Sequence, residues 1–150
     1  MISTEEQKAM DEELLRECGG YHRSRNKPDG AYIQVGLYFF NINKIKRLIA
    51  SGADVNAKNE NGQTPLHWAV LEDRIEMAKL LIASGADVGA KNKDGETPLH
   101  WAVDNDNIEI AKLLIDSGAK VNVKKRNGDT PLDWADSQEM EALLIEHGAK

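Results

Sequence analysis

Residues 64–70 read TPLHWAV, and residues 97–103 read TPLHWAV again. TPLDWAD follows at 130–136, so the three segments begin 33 residues apart. Two further landmarks keep that interval. One is Gly52-Ala53-Asp54-Val55, Gly85-Ala86-Asp87-Val88 and Gly118-Ala119-Lys120-Val121. The other is Asn61-Gly62, Asp94-Gly95 and Asn127-Gly128. Separate landmarks holding one phase are the mark of a chain built by stacking copies of one unit.

Each period carries its own punctuation. Thr64 suits an N-cap and Pro65 the first helical position, where a missing N–H costs nothing. Leu66, Ala69 and Val70 at i, i+3 and i+4 give a short helix one apolar face. Asp73 and Glu76 have capping-box spacing, with Asp73 as cap, and open a second helix striped by Met77, Ala78, Leu81 and Ile82. Gly85 ends it in the left-handed region. Ala86 to Gly95 then reads as an extended run into an Asp-Gly hairpin turn. One such unit cannot bury its apolar face alone, so neighbours must supply the cover.

The period of 33, Thr-Pro-Leu-His-x-Ala at 64–69 and 97–102, and the Leu-Leu-Ile-x-x-Gly-Ala-x-Val endings resemble ankyrin repeats. The resemblance covers about residues 31–150. It implies an all-α solenoid of antiparallel helix pairs with short β-hairpin fingers on one side, and binding through the fingers and the inner helix face. Four repeats are expected, at about 31–63, 64–96, 97–129 and 130–150. The outer two are atypical. Ala31 to Gly36 replaces the TPLHWA motif in the first. In the last, Leu143-Leu144-Ile145 follows Leu113-Leu114-Ile115 by 30 residues, so three are missing. Glu139, Glu141 and Glu146 make its final helix polar, as a terminal cap requires. Residues 1–30 read as an N-terminal capping helix and loop. Ser3 and Glu6 form a capping-box pair, Met10, Leu14 and Cys18 share a face, and Gly19-Gly20 end the helix.

Bulk composition narrows the function. The net charge of −6 offers no general field for nucleic acid or anionic membrane. No apolar stretch approaches the roughly 18 residues of a membrane span. The single cysteine excludes an internal disulfide and a cysteine-based zinc cage. The acidic N-terminus lacks a signal-peptide core, so a cytoplasmic monomer is expected, with a secreted bacterial effector that binds a host protein as the second reading.

Chemistry finds little footing. His67 and His100 invite a metal or acid–base hypothesis, but stacked helices lie about 8–10 Å apart. Two imidazoles so placed cannot share an ion at ~2 Å. The ankyrin resemblance implies instead that each histidine hydrogen-bonds nearby backbone and stabilises the helix entry, and Asp133 is their third equivalent. Cys18 has no histidine nearby in sequence to activate a thiolate. No catalytic, cofactor or metal residue is therefore assigned, and a metal- or cysteine-dependent enzyme stands only as the contrary hypothesis. Trp68, Trp101 and Trp134 form a column that reads as a packed ladder, each indole N–H needing an acceptor. Asn56 and Asn122 resemble ankyrin asparagines that can be hydroxylated, which gives a third reading as a modification substrate.

Residues that vary while the frame stays fixed are the ones to expect at a partner. At the corner between helices these are Leu71 and Glu72 in one repeat, Asp104 and Asn105 in the next, with Asp136 continuing the column. At the fingertips they are Glu60 and Asn61, Lys93 and Asp94, Arg126 and Asn127. The acidic corner column suits a protein partner with a basic segment. One period before Leu71 stand Tyr38, Phe39 and Phe40, an aromatic triplet that serves either as a cap under the N-terminal helix or as an interface anchor.

Overall fold

The structure, a computed structural model, describes residues 2–19 and 42–150. Among them seven α-helices follow one another and no strand occurs. They are α1 (Thr4–Glu17), α2 (Ile42–Ala50), α3 (Pro65–Leu71), α4 (Ile75–Ala83), α5 (Pro98–Asp104), α6 (Ile108–Asp116) and α7 (Gln138–Glu146). A 3-10 turn, Pro131–Trp134, precedes α7. α3 pairs with α4, α5 with α6, and the 3-10 turn with α7. The first members line up as one row and α4, α6 and α7 as a second. Between the rows Leu66, Met77, Leu81, Leu99, Ile110, Leu114, Met140 and Leu144 are fully buried. Each such side chain contributes about 1.5–3 kcal/mol over an exposed one.

The threonine boxes close as the sequence predicts. Thr64 N–H donates to His67 Nδ1 at 3.1 Å, and Thr97 N–H to His100 Nδ1 at 3.1 Å. In the last repeat Thr130 N–H donates to Asp133 Oδ2 at 2.7 Å. The three-residue deletion there comes out of the inner helix. Three residues join the paired helices in every case, while the helix itself shrinks from seven residues to a four-residue 3-10 turn.

The corner differs from the sequence expectation. Asp73 does not cap α4; Arg74 holds that position without a side-chain cap bond. Asp73 instead ends α3, in the left-handed region at φ 54°. Its N–H donates to Val70 O and that of Arg74 to Ala69 O, the paired bonds of a Schellman end. Asp106 repeats this at φ 51°. The usual glycine is absent because the carboxylate has work across the seam. Asp73 Oδ1 accepts from Asn107 Nδ2, and Asp106 Oδ1 from Ser137 Oγ. Asn107 and Ser137 in turn cap α6 and α7.

The fingers, too, are turns rather than the expected β-hairpins. Asn59 N–H donates to Gln63 O at 3.0 Å, while Asn59 Oδ1 accepts from the N–H groups of Asn61 and Gln63. Asn92 does the same for Asp94 and Glu96. The Asn59 side chain thus takes the Gln63 N–H that would otherwise complete the Asn59–Gln63 backbone pair.

α1 packs on α2 and α3, the relation that α3 bears to α4 and α5. Leu14, Leu15 and Cys18 are buried there, and Met10 is partly buried. Asp54 N–H donates to Asp11 Oδ1 at 2.7 Å, and Gln7 Nε2 donates to Gly52 O at 2.8 Å. One period later, Asn56 alone makes the equivalent pair, accepting from Asp87 N–H and donating to Gly85 O. Lys44 fastens the other end of α1, at 2.8 Å from Glu13 and 2.7 Å from Glu17. α1 therefore stands as the inner helix beside α2.

Candidate functional site

The corner column is exposed where the sequence placed partner contacts. Glu72, Asp104, Asn105 and Asp136 are exposed, and Leu71 is half-buried. Asp73 and Asp106 are bound into the seams, whereas the carboxylates of Glu72 and Asp104 make no ion pair among the described residues. Asn105 Nδ2 leans toward Leu71 O at 3.5 Å, which ties adjacent corners together. Gly19, at the end of α1, lies against Glu72 and the Trp68 ring, so α1 borders the column at its first step. Tyr38, Phe39 and Phe40 lie outside the described residues.

The fingertip residues Glu60, Asn61, Lys93, Asp94, Arg126 and Asn127 are all exposed. Their backbones are stitched tip to tip: Lys93 N–H donates to Asn61 O at 3.0 Å and Arg126 N–H to Asp94 O at 2.8 Å. Gly62 and Gly95 make this approach possible. A Cβ on Gly95 would stand 3.0 Å from Arg126 N, and φ there is +76°. The fingers thus present side chains of changing sign on a row whose spacing is fixed by its backbone.

Behind these surfaces runs the aromatic ladder. Trp68 and Trp101 meet edge to face with centroids 6.0 Å apart, and His67 meets Trp101 at 5.1 Å. His100 meets Trp134 at 6.2 Å. Trp101 Nε1 donates to Glu96 at 2.8 Å and Trp134 Nε1 to Asp129 at 3.1 Å. Trp68 has Gln63 at the equivalent position, but Gln63 Oε1 accepts from Asn59. Among the described residues the buried Trp68 N–H finds no acceptor. Lys125 lies over the Trp134 ring at 3.9 Å and pairs with Glu96 at 3.0 Å. Burial pushes the Glu96 carboxyl up, but the bonds from Trp101, Asn92 and Lys125 outweigh it and hold the group below its usual range. The ladder consolidates the stack and offers no open aromatic platform at Trp68, which is 8% exposed.

His67 is built in rather than poised. Its Nδ1 serves the Thr64 box, and the remaining Nε2–H donates to Glu96 O of the next finger at 3.0 Å. Burial pulls its pKa down to about 4. His100 moves the same way for the same cause. Cys18 is enclosed under α1, and burial pushes its thiol up to about 12. A thiol so placed is a poor nucleophile. Among the described residues no three His, Cys, Asp or Glu side chains gather in metal-ligand geometry, and no helix is long and apolar enough to cross a membrane.

Sequence comparison meets this geometry directly. A family model described as ankyrin repeats, in 3 copies, matches residues 33–125 and 89–150. The chain belongs to the ankyrin-repeat family. Ankyrin repeats are generally protein–protein interaction modules and typically non-catalytic. The chain is also similar to Protein VAPYRIN-LIKE of Medicago truncatula, 46% identical over 35 residues. That match spans 23% of this chain and 8% of the plant protein, so it speaks for a single ankyrin unit.

Proposed function

We propose that this ankyrin array is a non-catalytic adaptor or inhibitor that occupies a protein surface with its inner corner column and its fingertips. The observation that carries the reading is the exposed acidic column. Glu72 and Asp104 stand at successive corners, one residue apart in the repeat frame, face solvent and make no ion pair among the described residues. Their neighbours Asp73 and Asp106, of the same charge, are consumed by seam bonds. Acidic side chains left without an ion pair among the described residues, at successive corners of a stack, suit a basic segment lying along the inner row. Such charges act chiefly on encounter rate and register. The backbone-locked fingertips supply a second, mixed-sign edge for the same partner.

Affinity capture from the source cell with the native chain and with Glu72→Lys plus Asp104→Lys tests the reading. The double variant leaves the seam residues alone and should stay folded. Specific partners should be lost from it, and their capture by the native chain should weaken as salt is raised. Unchanged recovery of every specific partner by the variant overturns the assignment of this face.

A further inference from the structure

Asn56 and Asn122 perform one task at equivalent positions. Asn56 donates from Nδ2 to Gly85 O at 3.1 Å and accepts at Oδ1 from Asp87 N–H at 2.7 Å. Asn122 donates to Gly148 O at 2.9 Å and accepts from Lys150 N–H at 3.1 Å. At each of these seams a carboxamide plugs a donor and an acceptor of the following loop. α1 serves the seam before them with Gln7 and Asp11. The position between Asn56 and Asn122 is Gly89.

No side chain bridges Gly118 O and Lys120 N–H among the described residues. Instead the two lie, with Gly89, on the wall of a cleft of about 400 Å³. Thr97 and Val123 line it as well, and Lys91 stands at its side. A Cβ on Gly89 would meet only Asp87 Oδ1, at 3.5 Å. That oxygen already accepts from Gly89 N–H at 2.9 Å. The space left by the missing side chain is therefore open and edged by the donor–acceptor pair its sister seams satisfy internally.

We propose that this cleft receives the carboxamide of an asparagine or glutamine side chain from a partner protein. The chain's own occupants at the sister seams define the ligand chemistry, with an N–H₂ for Gly118 O and a C=O for Lys120 N–H. A carboxylate fits worse, despite Lys91 and Lys120, because it brings no donor to the Gly118 carbonyl. The inference deepens the protein-binding reading by giving one contact its chemistry. Its test leaves the acidic column untouched, so either can fail without the other.

The probes are three short blocked peptides that differ only in a central Asn, Asp or Ala. Each is titrated into the full chain while backbone amide resonances are followed. The Asn peptide should shift Gly89, Gly118 and Lys120, and bind on the order of tenfold more tightly than the Ala peptide. Gly89→Asn should fold, melt at a higher temperature and lose these shifts, because it carries its own plug. Gly89→Ala adds only a methyl group, in ordinary contact with Asp87 Oδ1, and should keep them. Equal binding of the Asn and Ala peptides overturns the proposal, as does persistence of the shifts in Gly89→Asn. Tighter binding of the Asp peptide overturns it in favour of an anion site at the two lysines.

Discussion

Replacing His67 by glutamine should flatten the acid side of the stability profile. In the native chain the ring is buried, its Nδ1 accepts from Thr64 and its pKa sits at about 4. In the unfolded chain it returns to about 6.5. Because the folded pKa is the lower one, the unfolded chain takes up the proton first as pH falls. The His67 contribution is thus complete above about pH 6.5 and is lost progressively between about 6.5 and 4. For these two values the loss between about pH 7.5 and 5.0 is about 2 kcal/mol. Glutamine keeps the capping box, since Thr-x-x-Gln closes it as well, but does not titrate. Urea unfolding of both proteins at these two pH values reads the difference directly. The native chain should lose about 2 kcal/mol more than His67→Gln over the step. The contribution of His100, in the same direction, cancels between the two. An equal loss in the variant, or a His67 ring that titrates near 6.5 by NMR, would refute the argument.

Two more outcomes follow from the packing. Cys18 should resist a thiol reagent at mildly alkaline pH in the native state, and Asp11→Ala, which cuts the bond to Asp54 N–H, should speed labelling roughly fivefold to tenfold by loosening α1; labelling at the rate of a free thiol in the native chain would show that α1 is not docked. Gly95→Ala and Gly118→Ala both place a side chain at positive φ, but only the first meets backbone, at Arg126 N, whereas nothing lies within 4 Å of the second. Gly118→Ala should cost about 1–2 kcal/mol and Gly95→Ala at least about 1 kcal/mol more, and equal shifts in thermal melting would refute the locked fingertips.

Much of this architecture is legible in the sequence because each repeat writes its helix ends in residues with local causes. Thr64, Pro65 and Gly85 act within a few residues of themselves, so spacing alone locates them. Asp73 misled for a physical reason. Aspartate serves an N-cap and tolerates the left-handed region equally well, and the choice was made by Asn107, in the next repeat. The seat of α1 was hidden likewise, since Gln7 and Asp11 share a task that elsewhere belongs to one asparagine. Gly89 stands plainly between Asn56 and Asn122 in the register, yet its meaning depends on knowing what those side chains hold. The exposure of Glu72 and Asp104 follows from the repeat frame. Their freedom from seam bonds does not, because Asp73 and Asp106 look the same on paper.

The bonds across each seam span nearly one period: His67 meets Trp101, Asn61 O takes Lys93 N–H, and Asp94 O takes Arg126 N–H. Contacts of this kind have no absolute address in the chain. A second copy of residues 64–96 spliced in after residue 96 would be offered the ring and backbone sockets of an existing seam, so the molecule would lengthen by one period with one side-chain bond to replace, since Arg74 of the copy would stand where Asp73 now has Asn107. It would also duplicate Gly89, and with it the unplugged seam. A single residue added to one finger, though far smaller, would put two neighbours out of step at once.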